Sequence, residues 1–147
     1  MSSETNVDTA DVSMITLQQA NIANRKRSQI DFTKSTFTEE ECLMIRKEVD
    51  VIKEKYPSYI PIIVKTRDTT IQLTKRKFLV GGDITIGQFM SILRKKMSTL
   101  KSTEAVFLLI NNTMPPASAF LSAIYATEKD IQTDMLFVTV CKENTFG

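Results

Sequence analysis

The order of the apolar segments that follow residue 60 constrains the fold of this chain more than any other feature. Runs of β-branched and aromatic residues predict strands, and periodic apolar residues behind hydroxyl caps predict helices. The predicted order is strand, strand, helix, strand, helix, strand, with strands at residues 60–66, 75–80, 105–110 and 135–140 and helices beginning at Thr85 and Ser118. A strand hairpin, a diagonal helix and a returning strand form a β-grasp sheet, which is an α+β fold. A ferredoxin-like domain has a similar element count, so the order alone leaves both topologies open.

A further helix is predicted before the first strand. Thr38 is followed three residues later by Glu41, which is the spacing of a capping box. Apolar residues then recur at intervals of three and four, and so share one helical face; they are Cys42, Ile45, Val49, Ile52 and Tyr56. Pro57 disfavours helical backbone at the residue before it, so the segment is predicted to end there. It is interpreted as one helix or as two short ones, packed outside the sheet.

Side-chain alternation divides the second strand into two faces. Lys77 and Leu79 share one face of the predicted strand, and Phe78 and Val80 share the other. Pro61 in the first strand lacks an N–H, so it is expected at the start of that strand or at a sheet edge. The alternation predicts two different environments on the two sides of the second strand.

The helix predicted at Thr85 carries a second capping box, formed with Gln88. Its apolar face is predicted to contain Ile86, Phe89, Leu93 and Met97. Basic residues fall in the predicted last turns, where they complement the negative end of the helix dipole; they are Arg94, Lys95 and Lys96.

The first 36 residues differ in composition from the rest of the chain. They are rich in Ser, Thr, Asn, Gln and Asp and carry only scattered apolar residues. We therefore predict a flexible N-terminal extension over residues 1–36 and a folded domain over residues 37–147. A short helix over residues 13–27 remains open as an alternative within the extension.

The composition argues against several classes of function. The chain has no histidine, which removes the commonest general base and metal ligand, and no catalytic spacing replaces it. We therefore expect no enzymatic activity, no metal and no cofactor. The net charge of +2 is too small to indicate nucleic-acid binding. Two cysteines and no apolar stretch near the ~20 residues of a membrane span favour a cytoplasmic protein.

Six segments between Phe37 and Gly147 closely resemble the autophagy ubiquitin-like modifiers of the GABARAP type, in the order of that family and near its spacing. The segments are Tyr56–Ile63, Lys75–Val80, Asp83–Phe89, Asn111–Pro116, Ser122–Tyr125 and Glu143–Gly147. The resemblance implies a ubiquitin-like β-grasp domain with two additional N-terminal helices and a C-terminal conjugation tail. It also implies residence in the cytoplasm and, when lipidated, on autophagosomes or other vesicles.

The resemblance implies that Gly147 is conjugated to phosphatidylethanolamine by activating and conjugating enzymes and released by a deconjugating cysteine protease. Phe146 and Arg94 match positions that such enzymes recognise. A glycine lacks a Cβ and so passes through a narrow enzyme channel. Two acyl chains hold a protein on a membrane where one is marginal.

The resemblance further implies a two-pocket groove for aromatic-x-x-aliphatic peptides of cargo receptors. The aromatic pocket would be lined by Glu48, Ile52, Pro61, Ile63, Lys77, Leu79 and Met135. The aliphatic pocket would be lined by Phe78, Val80, Ile84, Phe89 and Ile92, several of which core packing would equally explain. The second strand is expected to be a free edge to which the peptide adds. Lys75, Arg76 and Lys77 would attract acidic residues beside the peptide.

The chain departs from the family pattern at Tyr59, Gly81–Gly82 and Met135, and residues 1–36 have no counterpart in it. These departures bear on peptide specificity. Two alternatives keep the same groove: a modifier attached to protein lysines, and an unconjugated adaptor in membrane trafficking.

Overall fold

The computed structural model describes residues 30–34, 36–67, 71–97 and 105–142, and the structural statements below concern these residues. They form three helices and four strands. In chain order these are α1 (Glu39–Lys55), β1 (Tyr59–Thr66), β2 (Lys77–Gly81), α2 (Ile86–Arg94), β3 (Val106–Leu109), α3 (Leu121–Glu128) and β4 (Leu136–Lys142). None of these helices has the length and apolar character to cross a membrane.

The four strands form one mixed sheet in the order β2-β1-β4-β3. The central pair β1–β4 is parallel, and the outer pairs β1–β2 and β3–β4 are antiparallel. The first and last strands therefore lie side by side between two antiparallel neighbours, which is the predicted β-grasp arrangement. Pro61 lies in an inner strand, but the β1–β4 register begins only at Ile62, so no ladder bond on that side needs its missing N–H.

The sheet separates a large core from a smaller one. Alternate residues of β1 and β4 point toward α2 and α3, where they join one buried apolar cluster with Phe78, Phe89 and Leu121. The residues between them point toward α1, where Ile63 and Met135 pack with Ile45 and Val49. The side that carries α1 therefore contains residues predicted for the aromatic pocket.

Helix α1 is a single continuous helix of 17 residues. Its capping box is formed as predicted: the Glu41 backbone N–H donates to Thr38 Oγ1 at 3.1 Å, and the Thr38 N–H donates to Glu41 Oε1 at 2.9 Å. The alternative of two short helices is therefore wrong. The possible helix over residues 13–27 lies outside the described residues, so of the two N-terminal helices implied by the resemblance the structure describes this one.

Helix α2 begins at its predicted cap but ends earlier than its apolar period suggested. The Gln88 N–H donates to Thr85 Oγ1 at 3.2 Å, as the capping box requires. The helix ends at Arg94, and Met97 instead forms an isolated β-bridge with Leu73. Met97 is still buried, at 4% exposure, so the period identified a core residue but not its backbone conformation.

Helix α3 begins at Leu121, three residues later than the predicted start at Ser118. The carbonyl oxygens of Ala117 and Ala119 accept hydrogen bonds from the N–H groups of Gly87 and Ile86, at 3.0 and 2.9 Å. These two N–H groups lie in the first turn of α2, where backbone N–H groups have no acceptor within their own helix. The segment before α3 is therefore held in an irregular conformation because it completes the start of α2.

Tyr125 joins α3 to α1. Its hydroxyl accepts a hydrogen bond from Lys53 Nζ at 3.0 Å and donates to the Asp134 carbonyl oxygen. Burial and the nearby Asp134 carboxylate raise the pKa of Tyr125 to about 12, from an ordinary value of 10.0. Because the folded state holds the proton more tightly, the neutral phenol stabilises the fold fully below pH ~10, and this contribution is lost as the pH rises toward 12.

We expect the free energy of unfolding to fall with pH through this tyrosine. Between pH 8.5 and 11 the unaltered chain should lose about 1 kcal/mol that the Tyr125→Phe variant does not lose, since the variant has no phenol to ionise. Urea unfolding at both pH values measures the difference. Lysines titrate in the same range in both proteins, so parallel losses would contradict the prediction.

Candidate peptide-binding site

Strand β2 forms one edge of the sheet, as predicted for the second strand, and pairs with β1. The Val64 N–H donates to the Arg76 carbonyl and the Gly82 N–H to the Ser58 carbonyl, at 2.8 and 2.9 Å. In an antiparallel ladder such bonded pairs alternate with unbonded ones. The backbone groups of Leu79 therefore point away from β1, in the direction from which an added strand would approach.

Helix α1 lies beside this edge and contributes apolar side chains to it. Ile52 packs on Leu79, and the two are 3% and 0% exposed. Tyr56 and Tyr59 pack against this pair with their ring centroids 5.8 Å apart in an edge-to-face arrangement. Tyr59, one of the departures from the family pattern, thus extends the apolar surface at the C-terminal end of α1.

A second apolar group lies further along the same surface. It contains Ile63 and Met135, both predicted to line the aromatic pocket, together with Ile45 and Val49 of α1. Phe32 completes the group and is only 8% exposed. Sequence reasoning missed Phe32 because it assigned residues 1–36 to a flexible extension. That domain boundary stays a prediction, although Phe32 is packed on the sheet.

Two charged residues lie near this apolar group, one buried and one partly buried. Glu48 of α1 is 6% exposed, and Lys77 lies at the start of β2 with its Nζ atom 4.7 Å from the centroid of the Phe32 ring. Burial lowers the pKa of Lys77, and the Glu48 carboxylate opposes that shift. A cation over an aromatic face is an attractive arrangement, so this position favours an aromatic ring.

The residues predicted for the aliphatic pocket lie on the opposite face of β2. Phe78, Val80, Ile84 and Phe89 are at most 6% exposed and belong to the main core, whereas Ile92 is half-buried at its margin. The rings of Phe78 and Phe89 meet edge to face, with centroids 5.7 Å apart. Core packing therefore accounts for four of these five residues. In a peptide complex these four side chains would form only the bottom of the aliphatic pocket.

The remaining predicted residues lie around this groove or outside the described residues. Pro61 is buried beside Leu79 in the β1–β2 register. Lys75 is exposed and Arg76 half-buried, and both precede β2. Arg94 is the last residue of α2, and Phe146 and Gly147 fall outside the described residues. Within the described part of the chain, no group of three or more His, Cys, Asp or Glu side chains is placed to hold a metal ion.

Most of the chain matches known proteins. A family model described as autophagy protein Atg8, ubiquitin like, matches residues 44–147. Autophagy-related protein 8B of Oryza sativa subsp. japonica is 40% identical over 117 residues, which cover 78% of this chain and 97% of that protein. Autophagy-related protein 8 of Dictyostelium discoideum is 40% identical over 116 residues, which cover 77% of this chain and 94% of that protein.

A solved structure is also similar. The crystal structure of Trypanosoma brucei ATG8 matches with a TM-score of 0.65 at 32% sequence identity, covering 78% of this chain and 97% of that one. The region matched by the family model begins inside α1 and includes all four strands. Phe32 lies upstream of that region.

Proposed function

Since this chain belongs to the Atg8 family of autophagy ubiquitin-like proteins, we propose that it is a lipid-conjugated modifier that recruits partner peptides to a membrane. The carboxyl group of Gly147 would form an amide with the amine of phosphatidylethanolamine. Activating and conjugating enzymes would carry out this step, and a cysteine protease would hydrolyse the amide. The chain itself acts as the substrate of these reactions.

Family membership supports the conjugation step, and the chemistry of glycine fits it. Without a Cβ, Gly147 would enter a narrow enzyme channel with backbone angles that other residues avoid. The two acyl chains of the lipid would then anchor a domain whose described helices are too short or too polar to span a bilayer. Family membership suggests that the membranes are those of autophagosomes or other vesicles.

The observation that carries peptide recruitment is the combination of an edge strand with apolar side chains on the neighbouring helix. A partner peptide would add to β2 by main-chain hydrogen bonds. Its aromatic residue would lie near Ile63, Lys77 and Met135. Two side-chain contacts and a short added strand suggest micromolar affinity, about 8 kcal/mol. Cargo receptors that carry aromatic-x-x-aliphatic motifs are the proposed partners.

The conjugation proposal is tested by the intact mass of the membrane-bound form from native cells, with the added group located by peptide fragmentation. Phosphatidylethanolamine on Gly147 is the expected result. An isopeptide bond to a lysine would indicate a protein modifier instead. An unmodified Gly147 in every fraction, including after starvation, would indicate an unconjugated adaptor.

Charge at the entrance of the groove should affect the rate of peptide binding more than its strength. We expect Lys75→Glu to slow the association of a peptide with acidic flanking residues by about threefold in low salt, because exposed charges steer encounters. The dissociation rate should change less. Stopped-flow measurements at two salt concentrations give both rates.

Two controls isolate the charge effect. Lys75→Arg keeps the charge and should bind like the unaltered chain. A peptide with serine in place of the flanking acids should associate equally fast with all three proteins. If Lys75→Glu slows both peptides equally, the substitution disturbs the groove itself, and steering by Lys75 is excluded.

A further inference from the structure

Phe32 lies where the proposed function places the aromatic residue of a partner peptide. It packs in one cluster with Ile63 and Met135, and Lys77 Nζ lies 4.7 Å from its ring centroid. These three neighbours are among the residues that the sequence resemblance assigned to the aromatic pocket. The structure therefore packs an aromatic side chain of the same chain against three residues that the resemblance assigned to this pocket.

We propose that the segment Asp31–Lys34 is an internal ligand of the aromatic pocket, so that a partner peptide must displace Phe32 to bind. This inference rests on the proposed function, since it requires the same groove to receive peptides. It concerns a segment outside the region that matches the family model, residues 44–147.

A local turn presents the Phe32 ring to the pocket. Asp31 Oδ1 accepts hydrogen bonds from the Thr33 N–H at 2.9 Å and from the Thr33 hydroxyl at 2.5 Å. The Lys34 N–H closes the turn on the Asp31 carbonyl at 3.4 Å. An aspartate that bonds two residues ahead in this way forms a compact turn without help from the sheet.

The turn is attached to the domain at its polar end. Lys34 Nζ contacts both carboxylate oxygens of Glu41, at 2.6 and 2.8 Å, and Lys65 Nζ donates to the Lys34 carbonyl at 2.7 Å. The Lys65 Nζ atom also lies 5.3 and 5.0 Å from the ring centroids of Phe37 and Phe137. These contacts keep the segment close to the groove, which raises its effective concentration relative to a free peptide.

The contacts that hold the turn are suited to exchange. The Lys34–Glu41 ion pair is partly exposed, with side chains 38% and 20% accessible, and exposed ion pairs contribute little to stability. Phe32 belongs to the smaller cluster and is not part of the core between the sheet and α2 and α3. Met135 forms one wall of the pocket, and its flexible side chain adapts to different occupants. Release of Phe32 therefore leaves the main core intact.

Competition of this kind lowers apparent affinity by the fraction of molecules in which the pocket is open. If Phe32 occupies the pocket in about nine molecules of ten, removing the ring strengthens peptide binding about tenfold. The chain contains no tryptophan, so a peptide with a single tryptophan at its aromatic position reports binding by its own fluorescence.

The test compares the full chain, Phe32→Ala and the control Phe120→Ala with such a peptide, flanked by acidic residues. Phe120 is 51% exposed and precedes α3, so its removal deletes a ring without touching the groove. We expect Phe32→Ala to bind about tenfold more tightly than the unaltered chain, and Phe120→Ala to bind equally.

Weaker or unchanged binding by Phe32→Ala, with the unaltered chain still binding, would overturn the inference: Phe32 would then be a wall of the pocket and not its occupant. Binding by none of the three proteins would overturn the proposed groove itself. If Phe32→Ala fails to fold, a measurement on the unaltered chain still tests the inference. NMR contacts between the Phe32 ring and the Met135 methyl group should disappear at saturating peptide, and their persistence would also overturn the inference.

Discussion

A chain carrying Gly147→Ala is expected to lose its membrane-bound form. Under the proposed function the carboxyl group of this residue is delivered to enzyme active sites, where displacement of a reacting group by about 1 Å costs roughly 10²-fold in rate. The added methyl group both widens the residue and restricts its backbone angles. Flotation of membranes from cells expressing the variant, followed by quantification of the conjugated species, measures the effect.

Gly87→Ala is the matched control for that experiment. Gly87 lies in α2, where an added Cβ would approach the Ala117 carbonyl oxygen no closer than 3.4 Å. Alanine is also a better helix former than glycine, so this variant should fold and be conjugated normally. Conjugation of Gly147→Ala at the rate of the unaltered chain would contradict the prediction, because it would show that the reaction does not require a glycine at this position.

The Phe89→Ala variant is expected to lose about 3–5 kcal/mol of its free energy of unfolding, the usual cost of removing a buried ring. Phe89 is fully buried, and its ring packs edge to face on Phe78 at 5.7 Å between centroids. Its removal would leave a cavity between α2 and the sheet. Urea unfolding, followed by far-ultraviolet circular dichroism, gives the difference in free energy.

This experiment also separates two roles of Phe89, which the sequence resemblance placed in the aliphatic pocket. Phe120→Ala removes a half-exposed ring and should cost less than about 0.5 kcal/mol. A loss below about 1 kcal/mol for Phe89→Ala, combined with loss of peptide binding, would contradict the core assignment. Phe89 would then be a surface of the binding cleft.

Features that depend on local chemistry could be predicted from the sequence. The starts of α1 and α2 are fixed by Thr38 and Thr85, each with its partner three residues later, and both capping boxes form. The alternation of Lys77 and Leu79 with Phe78 and Val80 likewise follows from strand geometry alone. Because these signals lie within a few residues, no knowledge of distant contacts is needed to interpret them.

Features that depend on distant contacts could not be predicted in the same way. The start of α3 is displaced because Ala117 and Ala119 bond to the first turn of α2. The end of α2 is displaced because Met97 bridges to Leu73. In both places an N–H or carbonyl group finds its partner in a segment remote in sequence, and intrinsic propensity gives no indication of it.

The candidate site also contains residues that could be predicted from the sequence and one residue that could not. The resemblance identified Ile63, Lys77 and Met135, and the structure brings these three side chains around one ring. It could not identify the ring itself, because Phe32 lies within the polar segment 1–36, which has no helical or strand period. A single aromatic residue in such a segment has no sequence signal for its partner, and only the tertiary structure reveals the contact.

The position of β4 in the sheet determines when the sheet can be completed during synthesis. β4, the most C-terminal of the four described strands, lies in the interior of the sheet, with β1 on one side and β3 on the other. During synthesis the earlier strands must therefore wait for the final segment, and a nascent chain exposes the inward edges of both. Under the proposed function, the residues that are conjugated follow this strand in the sequence. A chain whose C-terminus has reached the proposed enzymes therefore already contains the strand that joins β1 to β3.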